Sequence, residues 1–339
     1  MHPVNSESNR LSVVIPTTAR RQTIFSTIHS LLKERDAGNE LSIEVVVNPL
    51  NSKREIVDQL LAMSEVNTRF HDKPYETAEA SAMWAAYTSN AEWVWLIGDD
   101  DTAMPGSVPH IKDLIKEKSV NFWLLNLLCT FDHTPLQYYR VGPRPIQIGT
   151  AFELWRKCGF FSITTTISGF LIKREVLDMN LFEEFHNIQG IYSHSVSLLA
   201  MLKNSQVGMT DYFCINRNEE SAENIFTAMQ SYIANREIGD MHIWTTGAWS
   251  LLNHLAGKIN HPLDELLNFR EIEIIKNPRN SYLRDGDMNI LVSTSGALLA
   301  RHISDSQESK NFLDASWLNK ELSRSHLIFP APVRVTIQN

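Results

Sequence analysis

Three consecutive aspartates, Asp99, Asp100 and Asp101, are the strongest chemical signal in the sequence. They follow Gly98 and the apolar segment 93–97, a pattern typical of a buried strand that ends in a loop. Adjacent carboxylates repel one another unless a cation or hydrogen-bond donors compensate, and their hard oxygens suit Mg²⁺ or Mn²⁺. A cation held there with a diphosphate would neutralise a leaving nucleotide. The alternative is a solvated acidic loop without metal, because aspartates are common turn and cap residues.

The elements that must position these aspartates alternate between apolar strands and amphipathic helices. Alternation of this kind predicts an α/β fold, with a mainly parallel sheet and helices on both faces. Ligands bind beyond the carboxyl ends of strands in such sheets, so the loops after Ile15, Val47 and Ile97 should meet at a single rim. The predicted strands cover residues 11–17, 42–48, 93–97 and 121–128, and the predicted helices cover 20–35, 54–64, 78–89 and 107–118.

The pattern changes after about residue 142. A connector rich in Pro and Gly at 142–149 leads to mixed segments, among them a strand-like stretch at 168–173 and a helix-like stretch at 193–204. Apolar residues then recur at helical spacing from about residue 223, and 333–338 could form an edge strand. The sequence therefore divides into residues 1–141, residues 142–222 of the same domain, and a mainly helical C-terminal extension at 223–339.

Composition and missing motifs exclude several classes of protein. The net charge of −8 at pH 7 comes without a basic stripe, which argues against a nucleic-acid partner. Three widely spaced cysteines indicate reduced thiols in a cytoplasmic protein. No segment approaches the roughly 18 apolar residues of a membrane span, so we expect any membrane contact to be peripheral. Kinase and dehydrogenase functions are disfavoured because neither GxxxxGK[ST] nor GxGxxG occurs.

Three segments together resemble the nucleotide-binding half of the family 2 glycosyltransferases. They are VVIPTTARRQTIFSTIHSLL, IEVVVN and ASAMWAAYTSNAEWVWLIGDDDTAMPGSV. Within that family they most resemble the abequosyltransferase-like branch of bacterial surface-polysaccharide synthesis, which often carries W-L-x-G-D-D-D. The likeness covers about the first 130 residues well and 160–215 loosely.

The resemblance implies a GT-A fold and the transfer of a sugar from a nucleotide-sugar donor to a glycan or lipid-linked glycan. It also implies an inverting reaction that depends on Mn²⁺ or Mg²⁺, in the synthesis of lipopolysaccharide O-antigen or capsule. Residues 1–141 would then bind the nucleotide sugar and 142–222 the acceptor. We expect a cytoplasmic enzyme, with any peripheral membrane contact at the inner face of the bacterial cytoplasmic membrane.

The resemblance also assigns roles at the donor site. It makes the aspartates a DxD motif, with Asp101 as the direct metal ligand and Asp99 nearer the donor ribose and the metal, and with Asp100 between them. Pro16, Thr17 and Arg20 fall in the first donor loop, where the guanidinium of Arg20 would face the diphosphate or the base.

Asn48 stands where family members often carry an aspartate that binds the nucleobase. An amide still offers a donor and an acceptor to a pyrimidine edge. The alternative is a turn residue before Pro49.

The base that would activate the acceptor hydroxyl is less clear, because the Glu-Asp pair of inverting members is absent. Candidates are Glu183, Glu184, His186 and His194. His194 begins an apolar helix, and the related branch also has a histidine there. A histidine can accept a proton near neutral pH or bind a metal. Local structural roles remain the alternative for all four.

Two other functions stay open at this point. A non-catalytic glycan-binding or assembly protein on the same fold would explain the missing Glu-Asp pair. A sugar-nucleotide pyrophosphorylase shares the alternating elements, but it should carry a Gly-rich loop where this chain has PTTARR.

Overall fold

The computed structural model describes residues 10–50, 52–131, 134–136, 146–158, 167–188, 192–219 and 246–261. The strand predicted at 333–338 and most of the predicted extension lie outside these ranges.

The first half of the chain alternates strands and helices, as the sequence predicts. Its elements are β1 (Leu11–Thr17), α1 (Thr23–Asp36), β2 (Ser42–Val47), α2 (Arg54–Ala62), β3 (Asn67–Phe70), α3 (Ala78–Tyr87) and β4 (Trp93–Leu96). β1 pairs in parallel with β2 and β4, and β2 pairs in parallel with β3. The strands β1, β2 and β4 are buried, because helices cover both faces of the sheet.

The second half adds shorter and more varied elements. They are β5 (Asp101–Ala103), α4 (Ser107–Leu114), β6 (Val120–Phe131), β7 (Thr134–Leu136), β8 (Ile146–Thr150), α5 (Ala151–Cys158), β9 (Phe170–Lys173), a 3-10 turn (Arg174–Val176), α6 (Met179–Ile188), α7 (Ser193–Met201), β10 (Gln206–Glu219) and α8 (Thr246–Ile259).

All the described strands join one sheet. Its main path runs β3-β2-β1-β4-β9-β6-β10-β5, with β7 beside β6 and β8 beside β10. β9 inserts antiparallel between β4 and β6, while β5 and β8 pair antiparallel with β10. The parallel sheet is therefore confirmed for the first half, and the antiparallel pairs come from strands after Gly98.

Two hydrophobic cores lie on opposite faces of the sheet. Because successive strand residues point to opposite faces, Val13 and Ile15 of β1 enter the core that includes α1, α2 and α4. Val14 enters the other core, beneath α3, α6 and α7. The tail helix α8 belongs to this second core, where Leu251, Leu252 and Leu255 are fully buried. Burying each leucine contributes about 1.5–3 kcal/mol, so α8 is an integral part of the packed domain.

Candidate functional site

The loops after β1, β2 and β4 meet at one edge of the sheet, called the rim below. Thr17 donates its hydroxyl hydrogen to Asp99 Oδ2 over 2.5 Å, and the backbone N–H of Asn48 donates to the Thr17 carbonyl over 2.7 Å. These bonds join residues from all three loops, which confirms the predicted convergence. Burial raises the pKa of Asp99, although the bond from Thr17 opposes that shift.

The three aspartates turn toward different partners. Asp99 accepts from Thr17, and Asp100 Oδ2 pairs with Arg21 Nη1 at 3.2 Å. Asp101 accepts from the hydroxyl of Ser168. The sequence predicts a loop at the triplet, but Asp101 is only 5% exposed and begins β5. Pairing with β10 draws it into the sheet, because Asp101 lies opposite residue 217 in that antiparallel ladder.

Ser168 is a site residue that the sequence analysis missed. Its Oγ donates to Asp101 and accepts from the backbone N–H of Gly98 over 2.7 Å, so it ties both ends of the aspartate loop to β9. Gly169 follows with a φ of +95°, a left-handed conformation that favours glycine. The Ser-Gly pair before an apolar strand was a visible signal of a turn. Its link to Asp101 was hidden by the 67-residue separation.

Oxygen atoms of three residues converge on the space above Gly98. A Cβ atom added there would lie 3.0 Å from Asp100 Oδ1, 3.2 Å from Ser168 Oγ and 3.4 Å from Asp101 Oδ2. A side chain at this position would crowd these three oxygens, and hard oxygens of this kind suit Mg²⁺ or Mn²⁺.

The described residues contain no group of three or more His, Cys, Asp or Glu side chains arranged to hold a metal. Mg²⁺ is nevertheless commonly held by one or two carboxylates together with phosphates and water. The oxygens above Gly98 therefore fit a cation that is completed by a diphosphate. Direct binding by Asp101 and Asp99 stays a prediction.

The loop after β1 is held in a strained conformation. Ala19 is buried with a φ of +50°, and its N–H donates to Thr17 Oγ1 while its carbonyl accepts from the N–H of Lys53. Left-handed residues other than glycine are uncommon and tend to cluster at functional sites. Pro16 lies within β1, opposite Val46 of β2.

Beyond Ala19, the two neighbouring arginines diverge. Arg20 Nε donates to Thr18 Oγ1 over 3.0 Å, whereas Arg21 reaches Asp100. The predicted contact of Arg20 with a diphosphate is untested.

Asn48 is buried, with 2% exposure, and its amide holds the loop after β3. Nδ2 donates to the Tyr75 carbonyl over 2.7 Å, while Oδ1 accepts from the N–H groups of Tyr75 and Leu50. This arrangement resembles the turn role that we weighed, and contact with a nucleobase stays a prediction.

The predicted catalytic glutamates lie on different surfaces of α6. Glu184 accepts hydrogen bonds from Lys258 Nζ and His254 Nε2 of α8, each at 2.7 Å. These hydrogen bonds lower the pKa of Glu184, and the bond from Lys258 has the larger effect. Glu183 is exposed. The pKa of Tyr75, in the loop after β3, is raised to about 12 mainly by burial, and then by the negative charges of Asp72 and Glu183.

His194 packs against β9 from α7. It is 3% exposed on α7, and its ring centroid lies 5.8 Å from that of Phe170. Phe170 follows Ser168 by two residues and pairs with Leu96, at the carboxyl end of β4. The fold thus brings His194 to the rim end of the sheet. His186 instead contacts Ser193 Oγ through Nδ1 at 3.1 Å.

Comparison with known proteins shows which family the segment that contains this rim resembles. Residues 12–179 match the family described as glycosyl transferase family 2, a stretch that includes the aspartates and Ser168. This match covers just under half of the chain. A Haemophilus influenzae protein described as an uncharacterized glycosyltransferase is 23% identical over 141 residues, which make up 41% of this chain and 46% of that protein. The chain thus spans just under half the length of this curated relative in the match.

Solved structures share the fold of this chain. TarS residues 1–349 of S. aureus, in complex with UDP-GlcNAc, match with a TM-score of 0.57 and 11% identity over 95% of this chain and 93% of that one. The complex with UDP gives the same TM-score at 9% identity, over 92% and 91% of the two chains. The likeness establishes the GT-A fold, so the expected fold class is confirmed. None of the helices within the described residues has the length and apolar character needed to cross a membrane.

Proposed function

We propose that this protein is a glycosyltransferase that moves a sugar from a nucleotide-sugar donor to a glycan or lipid-linked glycan, with Mn²⁺ or Mg²⁺ as cofactor. The observation that carries the proposal is the convergence of Asp100, Asp101 and Ser168 oxygens above Gly98, at the rim of the segment that matches glycosyl transferase family 2. TarS was crystallised with UDP-GlcNAc on the same fold, which supports a nucleotide-sugar donor.

The donor loops would bind the nucleotide with the residues that already meet at the rim. A bound cation would supply positive charge to the leaving diphosphate. Asp101, oriented by Ser168, would bind that cation with Asp99 or Asp100. Asp99, held by Thr17, would also face the ribose. Pro16, Arg20 and Asn48 complete the proposed nucleotide-binding residues.

His194 is the proposed general base in an inverting reaction. The acceptor hydroxyl would attack the anomeric carbon as the bond to the diphosphate breaks, and the imidazole would take the hydroxyl proton. Its nearness to Phe170 at the rim supports this choice. Glu184 suits the role less, because a lowered pKa makes a carboxylate a weaker base. Glu183 is the remaining carboxylate candidate.

The sequence resemblance to the abequosyltransferase-like branch supports a role in bacterial O-antigen or capsule synthesis. The acceptor would then be a growing glycan on a lipid carrier. An enzyme with such an acceptor would work at the inner face of the cytoplasmic membrane.

A thermal-shift panel tests the proposed function. UDP, GDP, CDP and dTDP are each added with Mn²⁺ or with EDTA, and a ligand that binds the folded state raises the melting temperature by mass action. We expect one nucleotide to stabilise the protein, and only with Mn²⁺. Stabilisation by glycans but by none of the four nucleotides would support the non-catalytic alternative instead.

A further inference from the structure

Arg20 and Arg21 are adjacent in the sequence but face different parts of the rim. Arg20 bonds within its own loop, to Thr18. Arg21 crosses to the aspartate loop and contacts Asp100 Oδ2 at 3.2 Å. The positive φ of Ala19 turns the chain just before this pair. Arg21 therefore brings a positive charge to the aspartates from another loop.

The two oxygens of Asp100 serve different neighbours. Oδ2 faces Arg21, while Oδ1 lies with the oxygens of Asp101 and Ser168 above Gly98. Arg21 thus lies on the opposite side of a carboxylate that borders the candidate cation site. The Arg21 side chain is 65% exposed and carries five N–H donors in a planar fork. One arm can hold Asp100 while another binds a phosphate oxygen.

We propose that Arg21 is a binding residue for the donor diphosphate, and that it competes electrostatically with the divalent cation when no nucleotide is bound. This proposal rests on the proposed function. A guanidinium beside Asp100 repels a cation bound to the same carboxylate, but it attracts a diphosphate that arrives with the cation. Removal of Arg21 should therefore change cation affinity and nucleotide affinity in opposite directions.

Calorimetry of Arg21→Gln tests both directions. Titration of Mn²⁺ alone should give a dissociation constant about two- to fivefold lower than in wild type, the range of an exposed ion pair. The best-binding nucleotide among UDP, GDP, CDP and dTDP, titrated at saturating Mn²⁺, should bind about ten- to a hundredfold more weakly, the range of a charge-assisted hydrogen bond. Arg21→Lys should recover part of the nucleotide affinity.

Lys116→Gln is a matched control, because Lys116 forms an exposed pair with Asp113 at 2.6 Å. That pair lies near the edge of the sheet opposite the rim, where Arg10, just before β1, bonds to the Ile115 carbonyl. The variant removes the same charge at a distance, so both affinities should stay within about twofold of wild type.

Four outcomes would overturn the proposal in distinct ways. If Arg21→Gln binds the nucleotide like wild type while Asp101→Asn does not, Arg21 is not a ligand but the proposed function stands. If Arg21→Gln loses Mn²⁺ affinity, Arg21 orients Asp100 and does not compete with the cation. If Lys116→Gln matches Arg21→Gln, the effect is one of net charge. If wild type binds none of the four nucleotides, the proposed function fails as well.

Discussion

Two rim aspartates, Asp99 and Asp101, are bonded differently from Glu184 on α6. At the rim, buried Asp101 accepts from the neutral hydroxyl of Ser168, and Asp99 accepts from that of Thr17. On α6, the half-exposed Glu184 contacts two basic groups of α8, His254 and Lys258. A hydroxyl orients a carboxylate without cancelling its charge, whereas basic partners compensate it.

This difference separates sites that can take a ligand from contacts that fasten a helix. A carboxylate that keeps its charge at a rim can attract a cation. A carboxylate with basic partners on a neighbouring helix mainly stabilises the packing of that helix. We therefore propose ligand binding at the rim and attachment of the tail helix at Glu184, although the sequence marks both as acidic clusters.

The largest effect should come from His194→Ala, which tests whether the rim includes the base. A general base contributes about 10²–10⁴-fold to rate, so turnover should fall by that factor while nucleotide affinity stays near wild type. Steady-state kinetics and calorimetry measure the two quantities. Loss of Mn²⁺-dependent nucleotide affinity would instead make His194 a metal ligand. Normal turnover, together with an inactive Glu183→Gln, would make Glu183 the base.

A smaller effect is expected from Ser168→Ala, which removes the hydroxyl that orients Asp101. A hydrogen bond to a charged group contributes about 1.5–3 kcal/mol, so Mn²⁺-dependent nucleotide affinity should fall about ten- to a hundredfold. Ser30→Ala provides the matched control, because Ser30 Oγ accepts from the N–H of Ala103 in the same strand β5 without touching an aspartate. Equal losses of nucleotide affinity in both variants would show that the affinity depends on the placement of β5 and not on the bond from Ser168 to Asp101.

Glu184→Gln should affect stability more than chemistry. Exposed ion pairs contribute about 0–1 kcal/mol each, so the free energy of unfolding should fall by about 1 kcal/mol in denaturant titrations. Turnover per folded molecule should stay within about threefold of wild type. A loss of turnover a hundredfold or larger would erase the distinction between the rim and α6, and would make Glu184 the base.

The smallest effect concerns His71, which contacts Ser81 Oγ at 3.1 Å behind the loop after β3. Burial, ahead of the charge of Arg69, lowers the pKa of His71 from 6.5 to about 4. His71 therefore binds a proton near pH 6.5 in the unfolded chain, but only near pH 4 in the folded protein. The free energy of unfolding should fall as pH drops through this window. Melting curves at pH 7 and 5 should show a smaller loss in His71→Gln, and equal losses would refute this assignment.

The sequence could predict the first half of the fold because its signals are local. Buried parallel strands such as β1 appear as continuous apolar runs, and the helices between them show periodic apolar faces. Among the strands up to residue 103, β3 and β5 escaped prediction, since one is polar and largely exposed and the other has only three residues. Both strands form because they pair with neighbouring strands, and their own sequences carry no strand pattern.

The site was predictable in residue type but not in pairing. The aspartate triplet and Thr17 were recognised, and the structure bonds Thr17 to Asp99. Ser168 was missed because its bond to Asp101 exists only after β9 inserts between β4 and β6. The sequence also could not distinguish Arg20 from Arg21, because the left-handed turn at Ala19 is a property of the folded loop.

The most direct test of metal-dependent nucleotide binding at the rim is calorimetry on wild type and Asp101→Asn. The best-binding nucleoside diphosphate is titrated once with Mn²⁺ and once with EDTA. The amide introduced by Asp101→Asn would keep an oxygen for Ser168, so the variant should fold with a melting temperature near that of wild type. We predict binding only for wild type with Mn²⁺, because the aspartates alone repel a diphosphate. Equal affinity with EDTA, or unchanged affinity in Asp101→Asn, would contradict the account.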